Sequence, residues 1–166
     1  DELAAQERAI VSGQEATPSV YPHPIARNVL PRIGAVLPSG YTDEEEKLER
    51  EGRKILHLPS LRVSTTCVRV PVMRAHSVAV NAEFRKSVTV EAALEVLRTA
   101  PGLEVLDDTE HDVYPMPLFQ AGKDVCAVGR IREDAAFDNG LAFWVVGDQL
   151  RKGAAQNAVQ IAELFL

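Results

Sequence analysis

The sequence predicts an α+β fold: a mixed, largely antiparallel sheet with helices packed on one face. Three observations carry that prediction. The elements it encodes run helix, irregular segment, helix, two strands, helix, three strands, helix. At 46% hydrophobic and 25% charged residues, its composition is that of a chain able to bury a core. No internal repeat or low-complexity segment interrupts it, and 166 residues suit one domain or two very small ones.

The elements follow in order. Residues 2 to about 12 are helix formers, with Leu3, Ile10 and Val11 on roughly one face and Gly13 to end them. From Thr17 to Gly40, Pro18, Pro22, Pro24, Pro31 and Pro38 forbid a regular helix and disfavour a central strand. The apolar residues among them predict an ordered irregular crossing. Thr42 with Glu45 three residues later is a capping box, so a helix runs from Thr42 to Leu56. Asp43 to Glu46 place negative charge at the positive end of its dipole. Leu48, Gly52, Ile55 and Leu56 form its narrow apolar stripe, and Glu46 and Arg50 are spaced as an i,i+4 pair.

Arg62–Val70 and His76–Phe84 read as strands by alternation and β-branched content, with Pro71 marking the rim where the first stops. Val90 to Thr99 is a second amphipathic helix, stopped by Pro101-Gly102. Leu103–Leu106 is a short strand, and Tyr114 to Pro117 is a proline-rich turn region. Val125–Ile131 and Leu141–Val146 are strands joined through the turn signal Asp138-Asn139-Gly140. A last helix begins near Leu150 or Gly153, with Ala154, Ala158, Ile161 and Leu164 or Phe165 expected inward.

Several function classes are disfavoured. The formal net charge is −6, against a nucleic-acid footprint of clustered positive charge. The longest apolar run, Leu141 to Val146, falls far short of the roughly 20 residues that cross a bilayer. No charged n-region followed by an apolar h-region opens the chain, so no signal peptide is expected. Cys67 and Cys126 lie in apolar runs and are expected as reduced thiols rather than a disulfide. The four histidines lack metal-ligand spacing, and no Gly-rich phosphate loop is present.

Three places could carry chemistry. In RVSTTCVRVPVMRAHSVAVNAEF, Arg69 shares a face with Val63, Thr65 and Cys67, and His76 heads a face with Val78, Val80, Ala82 and Phe84. A hairpin turning about Val72-Met73 sets Arg69 opposite His76, with Cβ atoms about 5 Å apart. The alternatives are a rim arginine reaching to water and a core histidine bonded to a backbone carbonyl. Glu44 and Lys47 share a face at the start of the capped helix, either as a site pair or as an ordinary solvated ion pair. Asp148-Gln149 precedes the small residues Gly153-Ala154-Ala155, and alone reads as a loop leading into a closely packed helix.

CVRVPVMRAHS (67–77), VGRIRED (128–134) and WVVGDQLRKGAAQNAVQIAE (144–163) resemble the C-terminal catalytic and dimerisation domain of aspartate-β-semialdehyde dehydrogenase. YPHPIARNVLPRIG and YTDEEEKLEREGRKIL match that family in order and spacing, so the resemblance covers nearly the whole chain. It implies a glyceraldehyde-3-phosphate dehydrogenase-like C-terminal fold over residues 1–166, cytoplasmic and at least dimeric. It also implies the reduction of L-aspartyl-4-phosphate by NADPH to L-aspartate 4-semialdehyde and phosphate, through a cysteine thioester, in lysine, methionine and threonine biosynthesis. Carried over by motif, His76 is the acid/base catalyst, Arg69 binds the substrate α-carboxylate, Glu44 its amino group and Lys47 the phosphate. Gln149 meets the nicotinamide end of NADP.

Such a substrate carries one cation and two anionic groups, matching one carboxylate and two separated cations. The imidazole titrates near working pH, as proton transfer requires. The family's nucleophilic cysteine and Gly-rich loop belong to a preceding dinucleotide-binding domain, and neither motif is in this sequence. Neither Cys67 nor Cys126 is therefore expected to be the nucleophile, and the chain alone is expected to be inactive. The competing readings are a non-catalytic assembly module with the same fold and a reductase of N-acetylated glutamyl phosphate. Keeping Glu44, Lys47, Arg69 and His76 together counts against the first. Glu44 counts against the second, because an acetylated amine has no charge to meet.

Overall fold

A computed structural model describes residues 2–166, which divide into two compact units, the first ending at Met73 and the second beginning at Arg74. In the first, helix α1 (Glu2–Val11) precedes a long irregular crossing, helix α2 (Asp43–Ile55) and an extended segment reaching residue 73. The residue that α1 buries is polar. Gln6 is 2% exposed and its Oε1 accepts the N–H groups of Ile25 (2.9 Å) and Ala26 (3.0 Å). Glu2 likewise accepts N–H groups from Ser19, Val20 and Tyr21. The proline-rich crossing makes no helix or ladder, so its buried N–H groups need side-chain acceptors. That need overrides the expected face of Leu3, Ile10 and Val11, and Val11 stands exposed. Ile25, Ala26 and Leu30 of the crossing form the core here.

Helix α2 starts as its sequence dictates. Glu45 N donates to Thr42 Oγ1 (3.3 Å) and Thr42 N to Glu45 Oε2 (2.8 Å), a complete capping box. Its stripe does not bury: Leu48, Ile55 and Leu56 are exposed, and Glu45 is the buried residue. Glu49 and Arg53 form an i,i+4 ion pair on the helix (2.6 Å), while Glu46, expected to pair with Arg50, accepts from Ser39 Oγ instead.

The strand expected over 62–70 does not form. Its side chains alternate between half-buried and exposed as read, with Val63, Thr65, Cys67 and Arg69 on the half-buried side. What it lacks is a neighbouring strand. Arg69 makes an isolated bridge with Leu30, and Cys67 N donates to a side chain. Alternation sets an extended backbone, but a strand also needs a ladder partner.

The second unit holds the sheet, in the order β1 (His76–Glu83), β4 (Gly140–Gly147), β3 (Cys126–Glu133), β2 (Leu103–Val105). β1/β4 and β3/β4 are antiparallel, and β2/β3 is parallel. This is the mixed, largely antiparallel sheet expected. Helix α3 (Val90–Thr99), capped by Thr89, packs on β2 and β3, and the short α4 (Pro117–Gln120) packs on β4. Ala127, Val128, Leu141, Ala142 and Val146 form the core.

β3 carries a bulge at Arg130, where φ is +58°, and Asp107 accepts the N–H groups of Arg130 (2.7 Å) and Ile131 (3.0 Å). After β4 the chain winds one π-helical stretch (Arg151–Ala155) into α5 (Gln156–Glu163). Ala154, Ala158, Ile161, Leu164 and Phe165, expected inward, are exposed. Among the described residues no helix is long and apolar enough to cross a membrane.

Candidate functional site

Glu44, Lys47 and Arg69 belong to the first unit, His76 and Gln149 to the second. In the first, the capped start of α2 presents Glu44 and Lys47 side by side, with Lys47 Nζ 3.3 Å from Glu44 Oε1. The buried Glu45 between them ties this turn to the extended segment. Its Oε2 completes the capping box, and its Oε1 accepts Cys67 N at 2.8 Å. Those two backbone donors, Thr42 first, hold its carboxyl below the usual range.

Two residues further along the same half-buried side, Arg69 is held by the proline-rich crossing. Its backbone exchanges hydrogen bonds with Leu30 (2.9 and 3.0 Å), and its guanidinium lies 5.0 Å from the Tyr21 ring centroid. Sequence reasoning named Arg69 but missed Glu45 and Tyr21 as its supports. The capping-box spacing marked Glu45, although nothing in it revealed the second bond to Cys67.

The hairpin expected to set Arg69 opposite His76 is absent. Arg69 pairs with Leu30, and His76 opens β1 opposite Gly147 of β4. A central-strand partner outcompetes the local turn because it supplies a full ladder. Neither alternative reading of the two residues holds. His76 is exposed, with no hydrogen-bond partner among the described residues, and Arg69 stacks on a ring rather than reaching freely to water. Gly147 leaves no side chain opposite the imidazole. A Cβ there would stand 2.7 Å from Cys126 Sγ.

Gln149 follows β4, and its Oε1 accepts the N–H of Ala75 at 2.9 Å. Asp148 beside it is wholly buried and accepts from the N–H groups of Gly122 (2.6 Å), Leu150 (2.8 Å) and Arg151 (3.1 Å). Arg74 Nε lies 2.7 Å from its Oδ2, an ion pair whose N–H is not aligned for a hydrogen bond. Burial pushes the Asp148 carboxyl up, but these donors and the guanidinium outweigh it and hold the group at about 2.

Neither thiol is set up as a nucleophile. Burial, then the charges of Glu45 and Glu44, push the Cys67 thiol up. Burial also raises Cys126, against a smaller opposing effect of Lys152. An activated cysteine needs the opposite shift. No group of histidine, cysteine and acidic side chains among the described residues could hold a metal ion.

Residues 1–152 match the family model described as semialdehyde dehydrogenase, dimerisation domain. The whole chain is 47% identical to 49% of the aspartate-semialdehyde dehydrogenase of Aquifex aeolicus. That of Streptomyces akiyoshiensis is 54% identical over 89% of this chain and 42% of its own length. Among solved structures, aspartate semialdehyde dehydrogenase II of Vibrio cholerae complexed with ASA superposes with a TM-score of 0.93 at 41% identity. That match covers 99% of this chain and 48% of the other. The Candida albicans aspartate semialdehyde dehydrogenase with NADP gives 0.62 at 27% identity, over 80% of this chain and 42% of the other. The chain spans about half the length of the curated relatives it matches.

Proposed function

This chain belongs to the family of semialdehyde dehydrogenase dimerisation domains, and on that premise we propose that it is the substrate-binding and dimerisation part of an aspartate-semialdehyde dehydrogenase. The complete enzyme reduces L-aspartyl-4-phosphate with NADPH, giving L-aspartate 4-semialdehyde, NADP and phosphate, and works in the cytoplasm as a homodimer or higher homo-oligomer. A further domain supplies the nucleophilic cysteine and most of the NADP site.

The observation that carries this reading is the built set in the first unit. Glu45 locks the turn bearing Glu44 and Lys47 to the segment bearing Arg69. One carboxylate and two unlike cations suit one ammonium, one carboxylate and one phosphate. Arg69, pre-set on the Tyr21 ring, offers its planar fork to the α-carboxylate. Glu44 exchanges its Lys47 partner for the substrate ammonium, freeing Lys47 Nζ to meet the phosphate as a point charge.

His76 stands exposed with neither ring nitrogen engaged among the described residues, so either can take the thiol proton and return one during turnover. The cofactor supplies the hydride when bound. The residue present fits its nicotinamide end in one sense only: with Gln149 Oε1 committed to Ala75, the side chain offers its Nε2 as a donor, as a carboxamide carbonyl requires.

The complete protein is assayed in the reverse direction with L-aspartate 4-semialdehyde, NADP and phosphate. His76→Asn is expected to lower kcat by at least 100-fold, within the roughly 10²–10⁴ typical of a lost acid/base. Lys47→Ala is expected to raise the phosphate KM by about tenfold, roughly one charge-assisted contact. Full turnover in His76→Asn, or turnover by the isolated 166-residue chain, overturns the reading.

A further inference from the structure

The chain approaches β1 through a backbone conformation that its own residue does not favour. Ala75, buried at 9% exposure, has φ +75°, in the left-handed region where a Cβ meets the following carbonyl. Such a conformation persists where its surroundings over-determine it. Here two consecutive residues beyond the end of β4 do so. Gln149 Oε1 takes the Ala75 N–H, and Asp148 Oδ2 takes the Arg74 guanidinium. Asp148 is itself immovable, being wholly buried with three backbone N–H groups on its oxygens.

We infer that Asp148 and Gln149 form a two-point clamp on Arg74-Ala75 that fixes the main chain immediately before His76, making Gln149 a positioning residue for the imidazole. This rests on the reading of His76 as the acid/base. The imidazole has no hydrogen-bond partner among the described residues, and a glycine stands opposite it in the ladder. Its placement therefore comes from the backbone. On one side that backbone is the β1/β4 ladder, and on the other it is the clamp. One side chain thus serves two ends, because the Gln149 carbonyl sets His76 while its amide nitrogen is left for a ligand.

Three variants of the complete enzyme test this. Gln149→Leu removes the acceptor and is expected to lower kcat by tenfold or more. It is also expected to broaden or shift the His76 imidazole signals in NMR spectra. Adding Ala75→Gly to that variant is expected to recover most of the loss, since glycine takes a positive φ without strain. Gln149→Glu keeps an acceptor for Ala75 N–H but loses the amide donor, and is expected to raise the NADP KM while leaving the His76 backbone amide signal near its wild-type position. A residue that only touches the cofactor would behave otherwise. Gln149→Leu would then raise the NADP KM with kcat intact, and Ala75→Gly would rescue nothing; that result overturns the clamp. If Gln149→Leu fails to fold, a displaced His76 backbone amide signal in Gln149→Glu overturns it equally. His76→Asn run beside them separates the two readings. Should it keep full turnover, the acid/base reading is wrong; should it abolish turnover while Gln149→Leu matches wild type in kcat and His76 signals, only the clamp is wrong.

Discussion

Gly129 gives the sharpest test of how the sheet is built. It sits in β3 opposite Trp144, and a Cβ added there would lie 2.0 Å from the carbonyl oxygen of Leu106 and 2.8 Å from Pro115 Cδ. Real Cβ atoms do not approach within 3.0 Å, so in Gly129→Ala the Leu106 carbonyl must move by at least about 1 Å. Leu106 N donates to Val128 O at 2.9 Å, and a shift of that size breaks the bond. Overpacking costs about 1–3 kcal/mol and a lost buried backbone bond about 1–3 more, so about 3 kcal/mol is expected.

With a urea m-value of about 2 kcal/mol per molar, the unfolding midpoint falls by about 1.5 M. The one tryptophan reports the same event, because Trp144 Nε1 donates to Pro115 O at 3.1 Å and Pro115 is the second atom group displaced. Its emission should therefore shift in the native state. Gly13→Ala is the control: φ is +74° with nothing within 4 Å, so only the conformational term of about 1 kcal/mol applies. If Gly129→Ala loses no more stability than Gly13→Ala and leaves the emission unchanged, the close approach of β3 to Leu106 and Pro115 is wrong.

Two further outcomes follow from the carboxylates. Glu45→Gln removes a charge beside Cys67 and leaves one acceptor for two backbone N–H groups. The thiol pKa is expected to fall, measured by pH-dependent thiol labelling, yet to stay above its ordinary value because burial remains the larger cause; an unchanged profile contradicts the contact. Asp148, held at about 2 against an ordinary 3.8, binds fewer protons folded than unfolded. Its stabilising effect is complete above about pH 4 and fades as pH falls toward 2, so the stability gap between wild type and Asp148→Asn should narrow across that window. Urea unfolding at pH 7, 4 and 2.5 reads it, and a gap constant with pH refutes the depressed carboxyl.

Much of the fold was legible because its signals are local. The Thr42/Glu45 box, the Val90–Thr99 helix with its Pro101-Gly102 stop, and the strand read over Leu141–Val146, which lies inside β4, stand where spacing placed them. Glu44, Lys47, Arg69, His76 and Gln149 were singled out through motif resemblance, while the residues that hold them in place were not. Glu45 bonding Cys67, Tyr21 under Arg69, Asp107 in the Arg130 bulge and Asp148 on Arg74 link residues 22 to 74 positions apart. No periodicity records such pairings.

The sequence by itself determined helices α1, α2 and α3 and the extended runs, because caps, prolines and alternation act within a turn or two of backbone; the short α4 and the π-helical entry to α5 escaped it. Tertiary structure alone decided which partner each backbone group and each buried carboxylate found. The extended run at 62–70 went to Glu45 and Leu30 instead of a hairpin, and His76 went to β4. A polar group leaving water must be satisfied, and which donor or acceptor satisfies it depends on what the folded chain brings within about 3 Å.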